Sequence, residues 1–173
     1  MPLVEVEGEA ALVVTKRAAD MQHNSGDWVF PGGRFDPGAD PDTAATALRE
    51  ASEELGFSPD RLNLAGRLST YGPIHSGYLL DVYVGVAHVG DISADPREVA
   101  DVAILPISRL TAKANYRETR EMPVVNSGPR AAGALRWERD RDQIYRLFTI
   151  REGEILWGLQ GLILHEFLSG VFQ

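Results

Sequence analysis

The sequence predicts a mixed α/β fold, an α+β or α/β sandwich in which strands and two amphipathic helices form layers. Two observations predict it. Short apolar runs with strand-like alternation are separated by clusters of glycine, proline and aspartate. One capped helical pattern interrupts these runs, and a second helical pattern lies near the end of the sequence. The length of 173 residues, without an internal repeat or a linker, predicts a single domain over residues 1–173.

Composition narrows the function classes. Apolar residues make up 44% and charged residues 24%, which is ordinary for a globular protein. The net charge of −8 argues against duplex nucleic acid as a partner. No apolar run reaches membrane-spanning length, and the acidic N-terminus does not resemble a signal peptide. The absence of cysteine excludes disulfides and thiolate metal sites. We therefore expect a cytoplasmic protein without a membrane or nucleic-acid partner.

The first elements are strands. Residues 3–7 alternate between apolar and polar side chains, and residues 10–15 form a short apolar run. Gly8 lies between them, so we expect a hairpin. Residues 28–30 predict a further short strand that ends at a Pro-Gly-Gly cluster.

A helix follows over residues 44–55, where apolar side chains recur with helical spacing. Asp40 or Asp42 is the expected N-cap, and Gly56 supplies the stop. The polar side of this helix carries three carboxylates: Glu50, Glu53 and Glu54.

The second half predicts more strands and a closing helix. Strands are expected at residues 62–68, 78–89, 102–105 and 143–150, a short helix at 107–110, and the closing helix at 155–167. Residues 111–141 are predicted to be a long loop or a pair of loops. That segment has seven basic and four acidic residues, so it could gather a phosphate-bearing small molecule. A solvated loop is the alternative explanation.

The three helix carboxylates predict a metal site. They are three and four residues apart, so they share one helical face and repel each other. Two of them lie near the C-terminal end of the helix, where the dipole disfavours negative charge. A hard divalent cation such as Mg²⁺ or Mn²⁺ would relieve this repulsion, because both prefer carboxylate oxygens.

The stretch FPGGRFDPGADPDTAATALREASEELGF resembles the Nudix box of diphosphate hydrolases. Residues 49–57 match its second half, R-E-hydrophobic-x-E-E-x-G-hydrophobic. The first half departs from the pattern, because the loop after Gly33 is two residues longer than usual. The usual box glutamate would fall on Ala39. Its position is either absent or replaced by one of three aspartates: Asp36, Asp40 or Asp42.

The resemblance is closest to the coenzyme A diphosphatase branch of Nudix proteins, and it covers residues 3–168. Residues 46–51 match the branch without a gap, and residues 13–18, V-V-T-K-R-A, are similar to its upstream motif L-L-T-x-R-S/A. Gln22 replaces an arginine of that motif. Residues 155–159 resemble the segment that opens the branch's last helix.

The resemblance implies a Nudix-type α/β/α sandwich around a mixed β-sheet and a metal-dependent hydrolase, which is commonly a homodimer. It implies that Glu50, Glu53 and Glu54 bind Mg²⁺ or Mn²⁺, with the Gly33 carbonyl as a further candidate ligand. The metals would bridge a diphosphate and activate a water molecule. Arg49 would orient the glutamates, and Glu53 is the residue we place nearest to that water.

The expected substrate is a small nucleotide. The branch implies coenzyme A or acyl-coenzyme A, cleaved to 3′,5′-adenosine diphosphate and (acyl-)4′-phosphopantetheine. Arg17 and Arg34 are the candidate phosphate-binding side chains, because arginine matches phosphate bidentately. Pro73, sixteen residues beyond the box, keeps ADP-ribose or a dinucleotide open as substrate. A non-catalytic Nudix-fold ligand sensor is the alternative from another class.

Overall fold

The computed structural model describes residues 1–19, 26–58, 60–72, 77–121, 123 and 144–171. The strands in these ranges are β1 (Pro2–Val6), β2 (Glu9–Arg17), β3 (Trp28–Val29), β4 (Asn63–Tyr71), β5 (Leu80–Val86), β6 (Val99–Pro106), β7 (Tyr116–Thr119), β8 (Tyr145–Arg151) and β9 (Glu154–Leu156). The helices are α1 (Thr43–Leu55), α2 (Ile107–Thr111) and α3 (Gly158–Val171). None of these described helices has the length and apolar character needed to cross a bilayer.

The larger sheet is mixed. Its strand order is β3-β2-β1-β5-β4, and β6 runs along the other side of β2. The β1–β5 pair is parallel, whereas β2 is antiparallel to β1, β3 and β6. A smaller antiparallel sheet has the order β7-β8-β9. The predicted mixed sheet is therefore confirmed.

The predicted hairpin joins β1 to β2. Val6 pairs with Glu9, so two residues form the turn. Glu7 has φ 52° and Gly8 has φ 82°. Positive φ at both turn positions matches the right-handed twist of the flanking strands, which is why two-residue hairpins favour this turn.

Strand β2 is buried on both faces. Leu12 and Val14 belong to one hydrophobic core together with residues of α3. Ala11 and Val13 belong to a second core together with residues of α1. Since successive side chains of a strand point to opposite faces, the two helices cover opposite sides of the sheet. The α/β/α sandwich is confirmed by this arrangement.

Helix α1 begins and ends at the predicted signals. Its N-cap is Asp42, whose Oδ1 accepts a hydrogen bond from the Ala45 N–H at 2.8 Å. At the other end, Gly56 has φ 72° and donates its N–H to the Ser52 carbonyl at 2.8 Å. Because Asp42 is the cap, Asp40 is available for a different partner.

Three predicted elements are corrected by strand pairing. Residues 155–156 belong to β9, which pairs with β8, so the closing helix begins only at Gly158. Residues 116–119 form β7 rather than loop, because they pair with the other edge of β8. The strand predicted over 78–89 is confined to Leu80–Val86. Of the features named from sequence, Gln22, Pro73 and residues 124–141 lie outside the described residues.

Candidate active site

Helix α1 carries three glutamates whose environments differ sharply. The exposed side-chain fraction is 4% for Glu54, 15% for Glu50 and 54% for Glu53. Glu54 faces the sheet, Glu50 lies under the preceding loop, and Glu53 reaches solvent. The helix therefore presents a row of carboxylates that runs from the protein interior to the surface.

Glu54 is a buried carboxylate with little compensation. Its Oε1 lies 3.9 Å from Nη1 of Arg17, and its Oε2 has no hydrogen-bond partner among the described residues. Burial raises the pKa of Glu54 to about 7, although Arg17 and the Gly32 N–H act in the opposite direction. A buried carboxylate oxygen without a donor is costly unless a cation or a proton binds it.

Glu50 lies against the glycine loop. A Cβ atom placed on Gly33 would come within 2.3 Å of the Glu50 carboxyl group, so a larger residue at position 33 would displace that side chain. Burial raises the pKa of Glu50, and the adjacent Arg49 opposes this rise. The close approach places the Gly33 backbone beside the Glu50 carboxylate.

Arg49 is the central donor of the site. Its Nη1 donates to Oε1 of Glu50 at 2.9 Å and to Oε2 of Glu53 at 3.0 Å. Its Nη2 also donates to the Arg34 carbonyl at 3.2 Å, which ties the loop to the helix. This single guanidinium therefore fixes two carboxylates and the loop backbone relative to each other.

Asp40 holds the remaining donors of Arg49. Its two oxygens accept from Nε and Nη2 of Arg49 at 2.9 and 3.0 Å, a bidentate ion pair. Oδ2 also accepts from the Thr46 hydroxyl at 2.9 Å and from the Asp36 N–H at 3.0 Å. The Arg49 guanidinium holds the pKa of Asp40 well below its usual range. Among the three aspartates left open from sequence, Asp40 is the one that binds Arg49.

Glu98 is a further acidic residue near the box glutamates, and the sequence did not reveal it. Its negative charge contributes to the raised pKa of both Glu50 and Glu54. Its carbonyl accepts from the Ala18 N–H at 2.9 Å, which anchors the loop before β6 beside the end of β2. No motif spacing could have found it, because it lies far along the chain from the box.

The two arginines predicted to bind phosphate occupy different places. Arg17 ends β2 and lies next to Glu54 on α1. Arg34 is exposed, and its guanidinium lies over the ring of Tyr78, 5.1 Å from the ring centroid. The structure thus brings Arg17 to the buried end of the carboxylate row and Arg34 to the loop side of the site.

The donor chemistry fits a hard divalent cation. Carboxylate oxygens predominate, two of the carboxylates are largely buried, and no donor in the described part of the chain reaches Glu54 Oε2. Within the described residues, no three acidic or histidine side chains already converge on one point. Glu50 and Glu53 each direct one oxygen to Arg49 instead.

The sequence model of the NUDIX domain matches residues 2–123, well over half of the chain. The chain belongs to the Nudix family. Its relatives include Nudix hydrolase 3 of Caenorhabditis elegans, 28% identical over 98% of this chain and 70% of that protein. The human mitochondrial coenzyme A diphosphatase NUDT8 is 33% identical over 78% of this chain and 62% of that protein. This chain is accordingly a Nudix hydrolase.

Solved structures show the same fold. A C. elegans Ap4A hydrolase in a binary complex has a TM-score of 0.51 at 15% identity, over 62% of this chain and 76% of that chain. The NUDIX domain of Shewanella oneidensis NrtR, solved with ADP ribose, has a TM-score of 0.50 at 20% identity, over 62% and 69% of the two chains. At these sequence identities, the comparison shows that this Nudix hydrolase shares their fold, and it carries no information about the substrate.

Proposed function

We propose that this Nudix hydrolase cleaves the diphosphate of coenzyme A or acyl-coenzyme A, with Mg²⁺ or Mn²⁺, to 3′,5′-adenosine diphosphate and (acyl-)4′-phosphopantetheine. One observation carries the proposal. Arg17 belongs to the upstream motif that resembles the coenzyme A branch, and it lies 3.9 Å from Glu54 of the box. This proximity supports a single site to which both the motif and the box contribute. The 33% identity to a coenzyme A diphosphatase supports the same substrate.

Each residue has a distinct part in this proposal. Glu50, Glu53 and Glu54 would hold the metal, with the Gly33 carbonyl as a further ligand and Glu98 adding negative charge nearby. The bound metal would neutralise charge on the diphosphate and lower the pKa of the attacking water. Arg49, held by Asp40, orients Glu50 and Glu53. Arg17 is placed to bind a phosphate oxygen, and solvent-exposed Glu53 is nearest to the water.

The decisive experiment is product analysis with coenzyme A, acetyl-coenzyme A, ADP-ribose and NADH, each with Mg²⁺, with Mn²⁺ or with a chelator. We expect metal-dependent release of 3′,5′-adenosine diphosphate from coenzyme A and its acetyl ester. Preferential cleavage of ADP-ribose or NADH would replace coenzyme A by the alternative substrate class. Metal binding without cleavage of any of these compounds would favour a ligand sensor. The proposal also includes a cytoplasmic homodimer, which gel filtration with light scattering and cell fractionation would test.

A further inference from the structure

Two exposed segments meet beside the box loop. Phe35 follows the glycine pair of the box and is 46% exposed. Tyr78 and Leu79, in the connection between β4 and β5, are 52% and 67% exposed. The Arg34–Tyr78 contact joins these segments, although 44 residues separate the two side chains in the chain. Apolar and aromatic surface is therefore gathered at one side of the carboxylate site.

Arg34 is fixed through its backbone rather than its side chain. Its carbonyl accepts from Arg49 Nη2 at 3.2 Å, so the residue is tied to the centre of the site. In the described part of the chain, no carboxylate pairs with its guanidinium, which rests on the Tyr78 ring. Arg61 and Arg97, by contrast, are paired with Asp91 and Asp95. Arg34 thus offers a positive charge to an external anion.

The loop after Arg34 is acidic, and one neighbour of Arg34 is aromatic. The protein carries a net charge of −8, and the loop after Arg34 contains three aspartates. An anion that approaches this side of the site is therefore attracted by the positive charge of Arg34 and repelled by the surrounding carboxylates. Tyr78 is 52% exposed, and the ring face that the guanidinium does not cover is a flat aromatic surface of the kind that stacks well on a nucleobase.

We propose that Arg34 and Tyr78 form a subsite for the nucleoside half of the substrate. Tyr78 stacks on the purine, and the Arg34 guanidinium binds a phosphate monoester that lies outside the cleaved diphosphate. The inference rests on the proposed function, because coenzyme A carries such a monoester on its ribose. The subsite makes the enzyme select nucleotides with that additional phosphate over nucleotides that lack it.

The test measures binding of two nucleotides to the full chain by calorimetry, without divalent metal. The probes are 3′,5′-adenosine diphosphate and 5′-adenosine monophosphate. We expect the wild-type protein to bind the diphosphate more tightly. Arg34→Ala should weaken binding of 3′,5′-adenosine diphosphate about tenfold, as loss of a charge-assisted contact predicts, and should leave the monophosphate nearly unchanged.

Substitutions at Tyr78 separate stacking from charge. Tyr78→Ala should weaken the binding of both nucleotides by a similar factor. The Tyr78→Phe variant should bind both nucleotides like the wild type, because the ring is retained. Arg61→Ala is the matched control, since Arg61 is an exposed arginine already paired with Asp91 at 3.2 Å. Arg34 and Tyr78 are exposed, so all four variants should keep the wild-type melting temperature.

The outcomes separate this inference from the proposed function. Wild-type protein that fails to bind 3′,5′-adenosine diphosphate, or Arg34→Ala and Tyr78→Ala variants that bind it normally, would overturn the subsite even if coenzyme A is cleaved. The reverse result is equally informative. Binding that depends on both residues, in a protein that does not cleave coenzyme A, would keep the subsite and overturn the substrate assignment.

Discussion

At the scale of single residues, Asp40 is the aspartate of the longer box loop that pairs with Arg49. The longer loop moves the usual glutamate position onto Ala39, which cannot pair with Arg49. Asp40 is 6% exposed, and it accepts two hydrogen bonds from Arg49, at 2.9 and 3.0 Å. An acidic side chain of the longer loop thus reaches the guanidinium that also contacts Glu50 and Glu53.

Asp40→Asn should impair catalysis through Arg49. The amide keeps the shape but removes the charge, so the guanidinium and the two glutamates it contacts lose their fixed geometry. We expect kcat to fall about 10- to 100-fold, the usual effect of removing a residue that orients metal ligands. Steady-state kinetics with Mn²⁺ titration would measure it, and Asp40→Glu should recover part of the loss.

The matched control for Asp40 is Asp36→Asn in the same loop. Asp36 is exposed, and its Oδ1 accepts only a local hydrogen bond from the Gly38 N–H at 2.8 Å. This variant should keep wild-type kinetics. Equal losses in both variants would show that the loop acts through its overall charge and not through the Arg49 ion pair.

Glu53→Gln should abolish turnover and leave the fold intact. Glu53 is 54% exposed, so its charge contributes little to folding, whereas the proposed function assigns its carboxylate to the attacking water. A loss of kcat of about 100-fold or more is expected for a group that activates the nucleophile. Kinetics and thermal unfolding measured on the same preparation would check both statements. Unchanged turnover would remove Glu53 from the catalytic assignment.

At the scale of elements, the contact between the glycine loop and α1 positions the site. Gly33 is exposed to solvent on one side, yet its Cα closely approaches the Glu50 carboxyl group. Asp42 caps the start of helix α1 and Gly56 caps its end, so the caps define the turns of the helix that carry the carboxylates. The loop backbone and the helix face therefore meet at a defined separation.

Gly33→Ala should damage the site without unfolding the protein. The added Cβ would lie 2.3 Å from Glu50 and would push that carboxylate away from the loop. We expect the Kd for Mn²⁺ to rise about tenfold, with a smaller change in melting temperature. Gly66→Ala in β4 is the control, because nothing lies within 4 Å of its added Cβ. Wild-type Mn²⁺ affinity in Gly33→Ala would show that the loop is not part of the metal site.

At the scale of the whole molecule, a polar cluster joins the two sheets. Glu154 of β9 forms an ion pair with Lys16 of β2 and accepts from Trp28 Nε1 at 3.1 Å. Arg151 of β8 lies over the Trp28 ring, 5.3 Å from its centroid, and pairs with Asp101 of β6. Since β2 also carries Arg17 at its end, this cluster helps to place the phosphate-binding candidate.

Glu154→Gln should reduce stability at neutral pH but not in acid. Lys16 and Trp28 lower the pKa of Glu154 from its ordinary 4.5. A carboxyl group with a lowered pKa stabilises the fold above its unfolded pKa, and this contribution disappears as pH falls through the folded pKa. We expect the variant to lose about 1 kcal/mol of unfolding free energy at pH 7, a modest value because the pair is partly exposed.

Urea unfolding between pH 3 and pH 7 would check this prediction. Glu152→Gln is the control, because Glu152 lies two residues away in the exposed turn between β8 and β9. Its stability curve should follow the wild type. A Glu154→Gln variant that is equally destabilised at pH 3 and pH 7 would show that the loss comes from packing rather than charge.

The local features of this protein were determined by its sequence alone. The β1–β2 hairpin, the start and end of α1, and the shared face of Glu50, Glu53 and Glu54 follow from residues within a few positions of one another. Helical and strand periodicity and turn chemistry act over that range. The sequence also identified the family, because the Nudix box is a continuous stretch of residues.

Only the tertiary structure decided which distant residues complete the site. Sequence left three aspartates equivalent, and packing against α1 selected Asp40 as the partner of Arg49. The sequence alone did not place Glu98 near Glu54, Arg17 beside the same helix, or Tyr78 against Arg34. It also misassigned the residues of β7 and β9. These contacts join segments far apart in the chain. Their positions depend on how strands pair and which sheet face each helix covers, and no local spacing encodes that.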